Sequence, residues 1–413
     1  MTRLQPERWQ IDRLGRRGDG VARNAAGDQA LAALVLPGEV IEGEAVDGRI
    51  PSPRIITPSP DRVRADCPHY RACGGCSLMH ASDDFVKSWK AEQVDAALRA
   101  QGVPGRVQGV STSPARSRRR AVLSGRRTKK GALLGFHARA SDVIVDVTDC
   151  RVLRPAILSA LPLLRRIVTA GASRQGEMDL TVIETPAGLD VTAQGGKAMD
   201  PALFSTLAGL ADQGDLARLN WGDQPITRRP PAVPMGRAQV VPPPAGFLQA
   251  TREGEAALVT VLRDIVSDAG RVLDLFAGCG TFSLPLAERA EIHAVEGLAA
   301  PLKALDSAWR GAQGLHRITT EIRDLARNPL LPAELAGYDA IVIDPPRAGA
   351  EAQAHQIAAS DVRQVAWISC EPIGFARDAR ILAEKGFAIT RLYAVDQFRW
   401  TPHVEIAAEF RRS

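Results

Sequence analysis

Hydrophobic and polar residues alternate most regularly in the last part of the chain, from Phe247 onwards. Short apolar runs that predict β-strands are followed there by stretches of helical periodicity. The predicted strands cover residues 271–275, 291–296, 318–323, 338–344, 362–369, 387–395 and 403–410. Five of these strands are separated by helical stretches, and the last two are placed to form an antiparallel edge. This order predicts an α/β fold with a doubly wound sheet, whose ligands bind beyond the C-terminal ends of the strands.

The earlier part of the chain has shorter and less regular patterns. Residues 1–57 contain short β-segments separated by glycine, which predict a small OB-like barrel. Residues 84–101 have the apolar spacing of an amphipathic helix. Residues 105–225 mix strand-like runs with one helix at about 155–170, which is an α+β pattern. The proline-rich residues 225–244 predict a stiff connector.

The length of the chain, 413 residues, favours two or three domains. We assign residues 1–57 to the barrel, 58–246 to a central α+β domain and 247–413 to the α/β domain. The helix at 84–101 is a candidate to pack on the last of these despite its early position.

The composition of the chain indicates which broad class of protein it belongs to. The hydrophobic fraction of 45% and the charged fraction of 24% are those of a soluble globular protein. No stretch approaches the ~20 apolar residues that span a bilayer. Residues 1–15 carry charges throughout and lack the apolar core of a secretory signal. We therefore expect a cytoplasmic protein with no membrane partner, acting as a monomer.

The positive charge is concentrated in one segment, although the net charge is only +5. Residues 116–130 contain eight basic side chains and no acidic one. A strand-turn-strand with these residues on one face would bind phosphate backbones without reading bases. The alternative is a solvated face or a mobile loop.

A glycine turn follows the first predicted strand of the α/β domain. Asp274 is followed by Gly278 and Gly280, and Glu296 ends the next strand, 22 residues after Asp274. A carboxylate at that place can accept both hydroxyls of a ribose. The turn lacks the Gly-x-Gly-x-x-Gly pattern of a phosphate cradle, which favours S-adenosylmethionine over NAD. A turn present for packing alone is the alternative.

Three further residues at or near the ends of predicted strands are candidates for binding or catalysis. Asp344 begins Asp344-Pro345-Pro346-Arg347, a rigid shelf against which a flat base can be held. Cys370 follows the fifth strand at the edge of the predicted crevice, where it is a candidate nucleophile, although a cysteine there is commonly a small core residue. Glu405 is a candidate general base, and its alternative is a carboxylate paired with an arginine.

Four of the six cysteines form a separate pattern. Cys67, Cys73 and Cys76 are closely spaced in the sequence, and Cys150 is a distant fourth. Clustered cysteines in a reducing compartment indicate a metal site rather than disulfides. Four thiolates suit either a zinc ion or a [4Fe-4S] cluster, and unconnected buried thiols are the remaining alternative.

These motifs resemble those of the RNA uracil-C5 methyltransferases that use S-adenosylmethionine, the RumA/TrmA family. Asp344-Pro345-Pro346-Arg347 is a signature of that family, and Arg347 at its end argues against amino-methyltransferases, which have an aromatic residue there. Ser369-Cys370-Glu371-Pro372 is similar to the family's Ser-Cys-Asn-Pro, with Glu371 in place of Asn. His403-Val404-Glu405 matches its His-Val-Glu.

The resemblance implies roles for individual residues. Cys370 would be the nucleophile that adds to carbon 6 of uracil, and Glu405 the base that removes the proton from carbon 5. Thr281 and Asp324 stand where many members have Asn. The implied contacts of S-adenosylmethionine are Gln249, Phe276, Thr281, Glu296, Asp324 and Asp344.

The N-terminal half adds to the resemblance. Gly18-Asp19-Gly20-Val21-Ala22 and Leu36-Pro37-Gly38-Glu39-Val40 look like the TRAM module, an RNA-binding barrel. The cysteine pattern resembles the family's [4Fe-4S] segment, which implies a structural or RNA-positioning cluster, with zinc as the alternative. The implied ligands are Cys67, Cys73, Cys76 and Cys150.

The expected function is methylation of carbon 5 of a uridine in structured RNA. The TRAM-like and cysteine segments resemble the ribosomal branch of the family, which favours 23S ribosomal RNA over transfer RNA as the partner. Two alternatives remain at this point: a transfer-RNA uracil-C5 methyltransferase, and a non-catalytic, metal-containing RNA-binding protein. The presence of both Cys370 and Glu405 favours an enzyme.

Overall fold

The structure is a computed structural model that describes residues 7–412. Residues 1–6, which belong to the predicted barrel and to the segment judged not to be a secretory signal, and residue 413 lie outside the described residues. In chain order the strands are β1 (Arg8–Leu14), β2 (Gly20–Asn24), β3 (Gln29–Ala32), β4 (Val40–Glu42), β5 (Arg49–Ile50), β6 (Arg54–Thr57), β7 (Gly109–Thr112), β8 (Arg120–Thr128), β9 (Gly131–His137), β10 (Ile144–Asp146), β11 (Glu177–Thr185), β12 (Gly188–Gln194), β13 (Arg218–Trp221), β14 (Gln224–Thr227), β15 (Val233–Met235), β16 (Ala238–Val240), β17 (Arg271–Leu275), β18 (Glu291–Glu296), β19 (Ile318–Ile322), β20 (Ala340–Ile343), β21 (Gln364–Ser369), β22 (Phe387–Asp396) and β23 (Glu405–Arg412). The helices are α1 (Asp83–Ala100), α2 (Pro155–Ser159), α3 (Leu161–Gly171), α4 (Pro201–Gln213), α5 (Arg252–Ile265), α6 (Ser283–Leu286), α7 (Ala299–Gly311), α8 (Glu351–Ala359) and α9 (Pro372–Ala383).

The C-terminal part has the α/β architecture that the periodicity predicts. Its sheet has the strand order β19-β18-β17-β20-β21-β23-β22-β7. The strands from β19 to β21 are parallel, and β23 is antiparallel to both β21 and β22. The prediction that the last two strands form the edge is wrong, because β7 pairs parallel with β22 beyond them. Strand β7 lies more than 270 residues earlier in the chain, so local periodicity contains no sign of this pairing.

Helix α1 is also part of this C-terminal unit. It packs against α9, and Val94 and Leu98 are buried in the same core as β17 and β20. Lys90, inside α1, forms a fully buried ion pair with Asp396 at the end of β22, with 2.5 Å between Nζ and Oδ1. A broken pair of this kind leaves an uncompensated buried charge, which costs about 3–5 kcal/mol. The pair therefore fixes α1 to the loop that follows β22.

The N-terminal strands β1 to β6 form a sheet of order β5-β3-β2-β1-β4-β6. Along β1 the side chains alternate, with Trp9 and Ile11 buried and Arg8 and Gln10 exposed, as expected for a strand that covers a core on one face. The predicted closure of these strands into an OB-like barrel, and the division of the chain into three domains, stay predictions.

The central sheet has the order β10-β9-β8-β11-β12-β13-β14, with α3 and α4 packed together beside it. The single helix predicted at about 155–170 is two helices that meet at Ala160. Pro162 stands in the first turn of α3, where its missing N–H costs nothing, whereas a continuous helix would place it in the interior.

Two expectations for the segments around this sheet are wrong. The proline-rich residues 225–244 are not a plain connector, because β15 and β16 form a hairpin whose Val233, Met235 and Val240 are buried in the core of the C-terminal unit. Pro234 faces outwards on this hairpin, which explains why the high proline content is compatible with a strand.

The expectation that the basic segment presents all its charges on one exposed face is wrong as well: Arg126, Lys129 and Lys130 are exposed, whereas Arg119 is buried. Arg119 is 2% exposed, pairs with Glu255 of α5 and donates from Nε to the Gln249 carbonyl oxygen at 3.2 Å. Arg120 donates to the Gly246 carbonyl oxygen at 3.2 Å. These arginines join the central sheet to the C-terminal unit, so their donors are engaged by protein groups.

Candidate active site and cysteine cavity

The glycine turn between β17 and α6 forms one wall of the candidate cofactor site. Gly278 and Gly280 have φ angles of +55° and +95°, and a Cβ on Gly280 would lie 2.9 Å from Leu305 Cγ. Glycine is therefore required at Gly280 both for conformation and for space. Phe276, directly after β17, has φ +62° although it is not glycine. This backbone conformation is costly for a residue with a side chain, so the surrounding structure must hold it.

Four of the six predicted cofactor contacts line one cavity beyond the strand ends. Gln249, Phe276, Thr281 and Asp344 surround a space of about 60 Å³. Glu296 ends β18 beside it, and its carboxylate accepts the Gly278 N–H at 3.0 Å and the Leu298 N–H at 3.0 Å.

Asp324 is the outermost of the predicted contacts. It is exposed just after β19, and its carboxylate accepts the N–H groups of Ala326 and Arg327 at 3.1 and 3.3 Å. The structure thus groups four of these residues, ties Glu296 to the turn and places Asp324 nearer the surface.

Two aspartates lie close to the crevice, Asp274 behind it and Asp344 in its wall. Asp274 is fully buried and accepts a hydrogen bond from Ser283 Oγ, while burial raises its pKa to about 7. Asp344 directly follows β20. Burial raises the pKa of its carboxyl well above the usual range, and the charges of Glu405 and Asp274 act in the same direction. Asp344 and Glu405 are therefore close enough for their ionisations to oppose each other.

Cys370 lies at the junction of β21 and α9. Burial raises the pKa of its thiol to about 11, the carboxylates of Glu405 and Asp344 add to this effect, and Arg347 opposes it. Glu371 caps α9, since its Oε2 accepts the Gly374 N–H at 2.7 Å. Its Oε1 lies 3.8 Å from a guanidinium nitrogen of Arg16 in the N-terminal sheet region. A carboxylate here thus performs the helix-capping role that an asparagine side chain also fills.

Glu405 is the first residue of β23 and is 5% exposed. Burial raises the pKa of its carboxyl to about 7, while a hydrogen bond from the Gln397 side chain and the charge of Arg347 lower it. A base whose pKa lies near neutrality is well matched to removing a proton at physiological pH.

A large cleft leads to Cys370. Its volume is about 1070 Å³, and it is bounded by the N-terminal sheet region, by α1 and by the loops that carry Cys370 and His403. The α1 side is largely apolar, with Phe85, Trp89 and Ala97 among its residues. The basic residues of the cleft are Arg13, Arg16, Arg17 and Arg347.

The four predicted metal-ligating cysteines share a second cavity. Cys67, Cys73, Cys76 and Cys150 line a space of about 80 Å³. Burial raises the pKa of the Cys76 thiol to about 12, with the neighbouring Cys150, Cys73 and Cys67 adding to the effect. Backbone N–H groups of Gly75 and Val152 donate to the sulfur atoms of Cys73 and Cys150 at 3.3 and 3.4 Å.

The surroundings of this cavity bear on which group would fit it. In residues 7–412 no three His, Cys, Asp or Glu side chains are arranged, as they lie, to hold a metal ion. The donor set itself is four sulfurs with backbone N–H donors, which is the set that iron–sulfur clusters use. Arg118 lies against Cys76 and Cys150, and its buried Nε has no hydrogen-bond partner within the described chain. A cation in this position would balance the negative charge of a thiolate-ligated cluster.

The loop between β22 and β23 connects the cysteine cavity to the candidate active site. The N–H groups of Ser77 and Leu78, directly after Cys76, donate to the Trp400 carbonyl oxygen at 2.8 and 2.9 Å. Arg118 lies 5.4 Å from the ring centroid of Phe398 in the same loop. This loop leads to Glu405, so the cysteine segment supports the segment that carries the candidate base.

Comparison with known proteins gives the family. The chain is 41% identical over 409 residues to an uncharacterized RNA methyltransferase of Rhizobium meliloti (strain 1021), and the match covers 97% of this chain and 98% of that protein. A family model described as tRNA (Uracil-5-)-methyltransferase matches residues 245–412. The chain belongs to the RNA uracil-C5 methyltransferase family.

Two further relatives of this RNA methyltransferase are informative. The 23S rRNA (uracil(1939)-C(5))-methyltransferase RlmD of Halomonas elongata is 34% identical, over 96% of this chain and 87% of that protein. The solved structure of Pyrococcus abyssi tRNA (uracil-54, C5)-methyltransferase with S-adenosyl-L-homocysteine matches with a TM-score of 0.76 at 20% identity, covering 98% of this chain and 99% of the other. That likeness confirms the fold, and the family makes the protein an S-adenosylmethionine-dependent RNA methyltransferase.

Sequence reasoning missed several residues of this methyltransferase that line or support the site. Arg13, Arg16 and Arg17 reach the cleft from the N-terminal sheet region, and Gln397 lies beside Glu405. The arginines are not part of a long basic run, and a single glutamine has no distinctive spacing, so only the tertiary contacts reveal them.

No helix within residues 7–412 combines the length and apolarity that crossing a membrane requires.

Proposed function

We propose that this enzyme methylates carbon 5 of a uridine in RNA through a covalent adduct at Cys370, with 23S ribosomal RNA as its target. The observation that carries the proposal is a thiol and an arginine that line one open cleft, with two carboxylates close to the thiol. Cys370 lies within electrostatic reach of Glu405, Asp344 and Arg347, and the cleft of about 1070 Å³ has room for an extruded nucleotide.

The steps follow from the positions of these side chains. The Cys370 thiol loses its proton to solvent through the cleft, and its sulfur adds to carbon 6 of uracil, which makes carbon 5 nucleophilic. When bound, S-adenosylmethionine supplies an electrophilic methyl group to that carbon. Glu405 then takes the proton from carbon 5, the carbon 5–carbon 6 double bond re-forms, and the Cys370 thiolate leaves.

The proposed contacts of the cofactor are the residues at the strand ends. Gln249, Phe276, Thr281 and Asp344 line the small cavity and would hold the donor. Glu296, beside the glycine turn, would accept the ribose hydroxyls, and Asp324 would contact the outer part of the ligand. All proposed site residues come from one chain, so the proposed monomer would have a complete site.

The cysteine cavity is proposed to hold a [4Fe-4S] cluster on Cys67, Cys73, Cys76 and Cys150. Four sulfurs around one cavity and the adjacent Arg118 support this choice, and zinc is the alternative that metal analysis tests. The cluster's part would be to hold the Cys76 to Leu78 segment, and through it the loop around Trp400.

Glu405→Gln tests the mechanism. Addition of Cys370 and transfer of the methyl group do not need the carboxylate, but elimination does. We expect a protein–RNA adduct that survives denaturing electrophoresis, carries label from the methyl donor and disappears when Cys370 is also changed to Ala. Glu409→Gln is the matched control, since Glu409 lies buried on the same strand but bonds Arg411, Gln364 and Thr390 away from the site.

The target is tested by mapping 5-methyluridine in cells with and without the gene. Loss of one 5-methyluridine from 23S ribosomal RNA supports the proposal, and loss from transfer RNA alone would assign the enzyme to the other substrate. Retention of every 5-methyluridine, together with normal turnover by Glu405→Gln in vitro, would contradict the mechanism.

A further inference from the structure

Gln397 is buried between the proposed base and a proposed cofactor contact. It is 2% exposed and directly follows β22. In the pairing of β22 with β23, Val395 lies opposite Glu405, so the chain at Gln397 runs beside the start of β23. The side chain thus reaches a position between Glu405 and Gln249.

The orientation of the Gln397 amide follows from one backbone contact. The Ala250 N–H donates to Gln397 Oε1 at 2.9 Å. A backbone N–H can only donate, so the atom that faces it must be the carbonyl oxygen of the side chain. The NH₂ group is therefore on the other side, where it donates to Gln249 Oε1 and faces the Glu405 carboxylate, whose ionised form it favours.

This arrangement also fixes the Gln249 side chain. Because Gln249 Oε1 accepts from Gln397, the Gln249 NH₂ group is left to donate into the cavity lined by Phe276 and Asp344. The packing around Gln397 leaves little freedom, since a Cβ on Gly254 would lie 2.7 Å from Gln397 Cβ. Glycine in α5 makes room for the glutamine.

We propose that Gln397 is a positioning residue that holds the Glu405 carboxylate and the Gln249 amide in the orientations that catalysis and cofactor binding need. The inference rests on the proposed functions of Glu405 and Gln249. Gln397 acts through these two neighbours and is not itself placed at the reacting atoms. One side chain would thereby link the arrangement of the base to the arrangement of the cofactor site.

The test compares Gln397→Met with Gln353→Met. Methionine has a similar length but no amide hydrogen bonds. Gln353 is the matched control, because it is also fully buried and bonds only the N–H and carbonyl of Leu330 at 2.9 and 3.1 Å. The measurements are the affinity for S-adenosyl-L-homocysteine without RNA, the pH dependence of the rate at which a preformed methylated adduct releases free RNA, and the melting temperature.

We expect Gln397→Met to weaken binding of S-adenosyl-L-homocysteine by about tenfold. The midpoint of the pH–rate profile should rise by about one pH unit, because the hydrogen bond that favours ionised Glu405 is lost. The other groups that face Glu405, namely Asp344, Arg347 and Cys370, are unchanged in this variant. Gln353→Met should match the wild type in both measurements even if its melting temperature falls.

Gln397→Asn gives a second variant if the methionine protein does not fold. Its shorter amide keeps polarity but cannot reach both acceptors, so it should show the same shifts at smaller size. Unchanged affinity and an unchanged pH midpoint in the folded variant would overturn the inference, whatever the melting temperature. If the wild-type enzyme methylates RNA and Gln397→Met behaves like Gln353→Met, only the positioning role of Gln397 is refuted. Normal turnover by Glu405→Gln would instead refute the proposed mechanism.

Discussion

The cysteine cavity and the catalytic crevice place thiols in opposite surroundings. In the cavity the neighbours of Cys76 are three other thiols, and the nearby cation is Arg118. In the crevice the neighbours of Cys370 are the carboxylates of Glu405 and Asp344, and the nearby cation is Arg347. Burial raises the pKa of both thiols, to about 12 for Cys76 and about 11 for Cys370.

The difference in neighbours decides what each thiol can do. Four sulfurs around one small cavity can share their charge with a bound metal centre and remain attached to it. A single thiol that opens onto a cleft beside a base can form a bond and then release it. In the proposed function one set of cysteines therefore has a permanent structural role and Cys370 a transient one, and each prediction below tests one of these two proposals.

The largest effect is expected for Cys370→Ala. Without the sulfur, carbon 5 of uracil is not activated, and methylation should fall by at least about 10⁴-fold. Binding of S-adenosyl-L-homocysteine and the iron content should stay near the wild-type values, because the thiol belongs to neither site. Substantial methylation of a uridine-containing transcript by this variant would contradict the assignment of the nucleophile.

Cys76→Ser should affect the cysteine cavity and leave the Cys370 thiol in place. Loss of one ligand should remove the metal centre and its broad absorbance near ~400 nm. The free energy of unfolding should fall by about 4 kcal/mol, the contribution of a ligand present at a thousand times its dissociation constant. Cys370→Ser is the control and should keep the absorbance. Stoichiometric zinc without iron or labile sulfide in the wild type would replace the cluster with a zinc site.

The pH dependence of methylation distinguishes the base from the thiol. The pKa of Glu405 is raised to about 7, so the carboxyl is protonated and inactive below that pH and ionised above it. The rate at which a preformed methylated adduct releases free RNA should rise about tenfold per pH unit below 7 and level above it. Formation of the adduct should instead keep rising above pH 8, because it needs the thiolate of Cys370, whose pKa is raised to about 11. A release rate that also rises well above pH 8 would mean that Glu405 is not the base.

The smallest effect is expected for a substitution of Arg16, in the wall of the large cleft that leads to Cys370. Arg16→Gln should weaken RNA binding a few-fold and reduce the slope of log affinity against log salt by about one, as expected for one lost phosphate contact. Arg8→Gln is the matched control, because Arg8 is exposed on the same sheet and pairs with Glu42 outside the cleft. Equal salt slopes for the two variants would remove Arg16 from the RNA-binding surface.

The two regions also differ in how far the sequence could predict them. Cys67, Cys73 and Cys76 are close in the chain, so their spacing alone indicates that they share a site. The glycine turn and the strand-end positions of Asp344 and Cys370 are likewise visible, because a parallel sheet brings the ends of its strands to one edge. Glu405 instead begins the antiparallel strand β23. In contrast, the sequence did not show which arginines of the basic segment are exposed, because whether an arginine meets solvent or a buried carboxylate depends on residues such as Glu255, 136 positions away from Arg119.

The sequence by itself determined the α/β alternation, the glycine turn and the candidate nucleophile, base and cysteines, because each depends on local periodicity or on residue type at a strand end. Tertiary structure decided the rest. The pair Lys90–Asp396 spans 306 residues, and the contact of Gln397 with Gln249 spans 148. Such contacts depend on how separately formed elements pack, and no local pattern of polar and apolar residues specifies them.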